Sequence, residues 1–194
     1  MLTFVQTLKE NMKQNKTNLI LAIILILAAA ISRVVMYPDN FSPIIGMALF
    51  GGAMIKDKRF AFVLPIFAMF LSDLMFQVSG IAIGFWGWGQ LVGYGILALI
   101  TVFAFRLKKA NPVNLVAFSL ASSVIFFVLS NLSFFLIDNR IYHTYTQDMA
   151  GLKNCFIQAL PFFNYKADLV YTGLLFGTYY LITHYAFAKK QVIA

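Results

Sequence analysis

A single cysteine, two histidines and seven carboxylates are spread over the 194 residues of this chain, and charged residues make up only 11% of it. A soluble domain of this length carries charge on about a quarter of its residues, so the deficit excludes an ordinary water-exposed surface. Cys155 has no second cysteine to pair with, which excludes an internal disulfide and leaves a buried structural thiol as the default. No H-E-x-x-H, G-x-S-x-G, P-loop or C-x-x-C occurs, so the usual signatures of zinc hydrolases, serine hydrolases, ATPases and thiol oxidoreductases are missing. A non-enzyme with no cofactor and no metal is the expectation.

What the chain has instead is apolar length. Hydrophobic residues make up 61% of it, 21 of them Phe, and the mean hydropathy is +0.81. Several runs stay apolar for about 18 residues or more, the length that crosses a bilayer. The runs predict an all-α, polytopic membrane bundle with six transmembrane helices, at about 19–37, 43–55, 60–78, 86–105, 114–137 and 167–188. Residues 1–18 and 189–194 read as tails, and 138–166 as one long outer loop whose stretch from Met149 to Leu160 is amphipathic. The first run is followed by YPDNFSP without a small-x-small cleavage pattern, so it reads as a retained helix. The second is short. It borrows flanking residues, tilts little, or is a partly re-entrant piece buried by neighbours.

The net charge of +8 comes from Lys and Arg placed at the ends of the apolar runs, not in a basic groove interleaved with aromatics, so nucleic acid is not the expected partner. Alternating the spans puts eleven Lys and Arg on one side and three, Arg140, Lys153 and Lys166, on the other. The positive-inside rule then makes both termini cytoplasmic. The two histidines, His143 and His184, fall on opposite sides and share no site.

Two charges, Arg33 and Asp73, fall well inside the spans. In FLSDLMFQ, residues 70–77, Asp73 lies about 20 Å along its helix from the inner end, and Arg33 about 21 Å along the first. Equal depth makes an Arg33–Asp73 pair the expectation, because an unpaired charge there is expensive. Such a pair reads as a clamp between spans, or as a clamp that also borders an outward-facing cavity; without it, Arg33 snorkels outward.

The remaining polar and aromatic residues gather on the predicted outer side. GFWGWGQ offers Trp86, Trp88 and Gln90, and VLSNLSFF offers Asn131. The long loop adds Arg140, Tyr142 and Tyr145. With Asp73 they form a candidate set for binding a solute, the tyrosines as a lid. Interface anchoring is the plain alternative for the tryptophans, and a helix–helix hydrogen bond for Asn131. Small residues recur at Ala28 and Ser32, at Gly46, Gly51 and Gly52, at Gly89 and Gly93, and at Gly173 and Gly177. They suit internal helix packing or docking of another membrane protein.

Three stretches carry a resemblance: residues 33–76, which include NFSPIIGMALFGG and a Pro-containing helix reaching Ser72-Asp73; SNLSFFL at 130–136; and GLKNCFIQALPFFNYKADLVYTGLLFG at 151–177. They resemble a bacterial family of uncharacterised small multi-pass membrane proteins, with Ser130 and Phe156 where that family often has Thr and Tyr. The family is similar in size and span count to the S components of energy-coupling factor (ECF) transporters. That likeness implies an outward pocket for a vitamin-like solute, a membrane coupling protein and ATPase subunits as partners beside the lipid bilayer, and docking through small residues on span 1. The expected function is therefore a solute-binding component of micronutrient uptake, with a structural or assembly subunit of a membrane complex as the alternative.

Overall fold

A computed structural model describes the backbone of residues 2–35, 41–85 and 87–191, with side chains for 15–35, 41–85 and 87–185. Trp86, the ends of the first expected span and of the chain, and the side chains of the N-terminal tail lie outside the described residues.

Every secondary-structure element among the described residues is a helix: α1 (Leu2–Val35), α2 (Ile44–Met54), α3 (Lys58–Ser79), α4 (Trp88–Ala104), α5 (Pro112–Ser133), α6 (Asn139–Tyr142), α7 (Met149–Ala159) and α8 (Tyr165–Gln191). The expected tail and first span are one continuous helix. A wider π-type turn, Phe134–Asp138, joins α5 to α6, and a 3-10 turn, Leu160–Phe162, follows α7. Local chemistry sets the boundaries. Asp57 caps α3 by accepting the Arg59 amide at 2.9 Å, and Gly80 ends it at φ 69°, the left-handed region that glycine enters freely. Asn111 caps α5, with Pro112 in the first turn where no amide is needed. Asp148 caps α7. The Gly151 amide and the Thr146 hydroxyl donate to its carboxylate, holding it below the usual carboxylate range.

Three stretches are long and apolar enough to cross a membrane: Asn15–Val35, Lys58–Ser79 and Pro112–Tyr142. Ile44–Met54 and Trp88–Ala104 are shorter apolar helices. The longer α8 interrupts its apolar residues with Tyr171, Thr172, Tyr179, Tyr180 and His184. Many large apolar side chains, such as Ile24, Phe67, Leu99, Val124 and Leu174, point away from the bundle. A surface of this kind suits lipid, and the architecture is that of a multi-pass membrane protein.

The core sits around α2. At 11 residues, α2 measures about 16 Å, half the hydrocarbon thickness of a bilayer. It is surrounded by α1, α3, α4, α5 and α8, and every residue from Ile45 to Gly52 is buried. A helix apolar on all sides belongs in such a position. Phe50 meets Phe176 and Tyr179 edge-on at 5.2 and 5.4 Å. The ends of the bundle differ. At one, Lys56 donates to Asn15 at 2.8 Å and the Lys58 ammonium lies 4.1 Å from the centre of the Phe105 ring. At the other, Ser32 meets the Tyr171 hydroxyl at 2.8 Å, and Asp73 joins α1, α3 and α4.

The small residues divide into two groups. A Cβ on Gly46 would stand 3.0 Å from the Tyr171 Cβ, one on Gly51 2.7 Å from Pro65, and one on Gly52 2.7 Å from Ala104. These three let α8, α3 and α4 close on α2, and Gly89 is buried as well. At Gly93, Gly173 and Gly177 an added Cβ meets nothing within 4 Å, so none of them mediates a close approach inside the chain. Ala28 is exposed while Ala29 and Ala30 are buried, so the Ala28/Ser32 spacing does not mark the packed face of α1. Spacing alone cannot say which side of a helix faces its neighbours.

Overpacking and open space make different predictions. Gly52→Ala should lower the thermal midpoint in detergent, by overpacking that costs about 1–3 kcal/mol. Gly177→Ala should leave it unchanged or slightly raised, because alanine favours helix.

Candidate functional site

The acid of FLSDLMFQ lies in a closed polar knot. Asp73 is 2% exposed. One of its oxygens accepts from the Arg33 guanidinium, which also donates to Ser72 at 2.7 Å. The other accepts from the Gln90 amide at 2.8 Å and the Tyr94 hydroxyl at 2.7 Å. Gln90 further donates to the Gly84 carbonyl at 2.8 Å, and the Arg33 guanidinium carbon stands 5.0 Å from the centre of the Phe76 ring. Gln77 accepts the Gly84 amide at 3.2 Å, folding the α3–α4 connection over Asp73 so closely that no side chain fits at Gly84. Both carboxylate oxygens are thus engaged by protein. The group ties α1, α3 and α4 together and lines none of the cavities described below.

The other sequence candidates do not gather around it. Trp88 is 66% and Tyr142 65% exposed, and Arg140 is exposed too. Tyr145 packs edge-on against Phe134, and its backbone is pinned by Asn139, which accepts from its amide at 2.7 Å and donates to its carbonyl at 3.0 Å. Among the described residues, the loop tyrosines and Trp88 do not come together with Asp73. The reason is physical: the π-type turn and the Asn139 bridge spend the length of the loop on closing its own backbone hydrogen bonds. Trp86 lies outside the described residues.

A different cavity, of about 300 Å³, opens beside α5. It is lined by Ser42, by Ile44 and Ile45 at the start of α2, by Ser123, Phe126, Phe127, Ser130 and Asn131 of α5, by Ala159, Phe162, Phe163 and Asn164 of α7 and the connection after it, and by Asp168 of α8. Asn131 is the one sequence candidate among its lining residues. Its amide nitrogen donates to the Phe127 carbonyl at 2.7 Å. Asp168, in the first turn of α8, is 8% exposed and accepts from the Ser123 hydroxyl at 2.6 Å. Ser123 also accompanies a polar seam between α5 and α8, in which Thr172 donates to Ser119 at 3.3 Å. The Ser42 hydroxyl oxygen is enclosed and has no hydrogen-bond partner among the described residues.

Sequence reading passes over Asp168, Ser123 and Ser42. A signal existed: Ser119 and Ser123 are four apart on one helix, as are Asp168 and Thr172 on another, so each pair shares a face. Among the described residues no three metal-ligating side chains come together. Apolar hollows between α4 and α5, such as the one bounded by Val92, Leu99, Leu129 and Leu136, carry little polar surface and suit lipid chains.

Residues 12–191 match a family described as being of unknown function (DUF6580). No curated protein and no solved structure matches the chain.

Two outcomes follow from this geometry. Asp73→Asn and Arg33→Gln should each destabilise the protein, as losing one partner of a buried pair costs about 3–5 kcal/mol. The double variant should recover part of the loss in thermal midpoint, and additive losses would contradict direct coupling. Cys155 is 3% exposed, donates to the Asn131 carbonyl at 3.7 Å, and has its thiol pushed up by burial. With little thiolate at neutral pH, it should react slowly with maleimide in folded protein and rapidly once unfolded.

Proposed function

We propose that this chain, which belongs to that family of unknown function, is a solute-capturing component of a membrane uptake system, with the Asp168 cavity as its capture site. The observation that carries the reading is a buried carboxylate that borders a 300 Å³ cavity together with amide, hydroxyl and phenyl groups. A small hollow with apolar walls and a few convergent polar groups is the usual form of a small-molecule site.

In this reading the chain crosses the membrane six times, with α2 as a short central crossing completed by its flanking segments. Lys16, Lys56, Lys58, Arg59, Arg106, Lys108 and Lys109 mark the cytoplasmic end, leaving the cavity to face outward. In this reading the chain plays the part that an S component plays in an ECF transporter, in a bacterial cytoplasmic membrane. Energy then comes from partner subunits, a coupling protein and an ATPase, since the chain carries no P-loop. Asp73 serves such a component by holding α1, α3 and α4 as one block. The second reading, an assembly subunit, draws on Gly173 and Gly177, whose open surroundings leave room for another helix.

Native mass spectrometry of detergent-exchanged protein tests the choice. Capture predicts a bound small molecule that Asn131→Ala or Asp168→Asn releases. A bare chain that co-purifies with a stable protein partner would support the assembly reading instead. Topology is tested in intact cells with Lys108→Cys on a Cys155→Ser background: labelling should require permeabilised membranes, and labelling from outside would contradict the orientation.

A further inference from the structure

Three carboxylates, Asp73, Asp138 and Asp168, are buried among the described residues; Asp138 ends the π-type turn away from the cavity lining, and the other two are treated differently. Asp73 has a guanidinium and two neutral donors around it. Asp168 has one hydroxyl, from Ser123, and that bond uses only one of its two oxygens. No Lys, Arg or His is among the residues lining the cavity, and Arg33–Asp73 is the sole ion pair among the described residues. A carboxylate withdrawn from water without a counter-charge is costly, and a cation supplied from outside removes that cost.

The rest of the lining narrows what the cation is. Phe126, Phe127, Phe162 and Phe163 contribute phenyl groups, with Phe127 and Phe163 centred 4.9 Å apart. Aromatic faces attract organic cations through their quadrupoles and bury an apolar body at the same time. The enclosed Ser42 oxygen is a free acceptor, and no donor to the Asn131 amide oxygen is present among the described residues. Acceptors around one acid suit the several N–H donors of an ammonium. A divalent metal ion fits poorly, because it calls for more carboxylate or imidazole ligands than the single acid here. At about 300 Å³ the cavity is at the small end for ligand sites and admits roughly one ring system.

We infer that the Asp168 cavity binds a small organic cation, a protonated amine carried on a flat apolar body, with Asp168 as its counter-ion. The inference rests on the capture reading and adds the charge and shape of the solute. It separates two uses of buried acid in one bundle: an internal pair that holds helices and an open one that awaits its partner.

Isothermal titration calorimetry on the purified full chain in lipid nanodiscs tests it, with benzylammonium, benzamide and benzoate as probes of one size and three charge states. Benzylammonium should bind saturably, and tighter than benzamide by about tenfold or more, the equivalent of about 1.4 kcal/mol. Benzoate should not bind, and Asp168→Asn should abolish the preference for the ammonium. The probe ranking in wild-type protein decides the matter even where that variant does not fold. Equal binding of benzamide and benzylammonium, or tighter binding of benzoate, would overturn the cation inference while leaving solute capture standing. No binding by any probe overturns the inference as well. If native mass spectrometry then also finds the chain bare, the capture reading falls with it.

Discussion

A carboxylate that leaves water must find its charge balance inside the protein, and Asp73 does so by drawing three helices to one point. Arg33 comes from the end of α1, Ser72 and Asp73 from α3, and Gln90 and Tyr94 from α4. Arg33, Gln90 and Tyr94 are donors directed at the Asp73 oxygens in a setting where water offers no substitute, and such charge-assisted bonds are each worth about 1.5–3 kcal/mol. Their combined geometry fixes how far α1 and α3 run before the chain turns. It also requires glycine at position 84, where the connection passes over the acid. The attraction offsets a large desolvation cost, so the knot contributes register and direction more than net stability.

That register lets α2 be short. With α1, α3 and α4 held at one end, an 11-residue apolar helix drops into the centre and is buried by its neighbours. Glycines at 46, 51 and 52 bring α8, α3 and α4 against it. The space above the start of α2, which a longer helix would occupy, is bounded instead by α5 and the α7–α8 connection. The cavity beside Ser42 and Asp168 lies there. A polar knot on one side and a cavity bordered by a carboxylate on the other are therefore consequences of the same packing arrangement.

Much of this was legible in the sequence. Apolar run length located the helices, and equal depth along two parallel spans pointed to Arg33 and Asp73 as neighbours. The amphipathic stretch after Asp148 is α7. The cavity was less legible because polarity was read by loop, not by helix face. Arg140, Tyr142 and Trp88 stood out as large polar or aromatic residues and are exposed. Ser123 and Asp168 looked ordinary, and gain meaning only when α5 and α8 face each other. Glycine spacing had the same weakness, treating Gly51 and Gly177 alike although one touches Pro65 and the other open space.

Asp73 and Asp168 are buried acids with opposite arrangements, one closed by donors of its own chain and one bordering a cavity without a counter-charge. An experimental density map of the protein, purified from membranes into lipid nanodiscs without added solute, tests that division most directly. The account predicts continuous density from the Arg33 guanidinium to Asp73, and a separate non-protein feature within hydrogen-bond distance of Asp168, between the phenyl groups of Phe127 and Phe163. A cavity filled by collapsed side chains, or a lysine or arginine of this chain paired with Asp168, would contradict it.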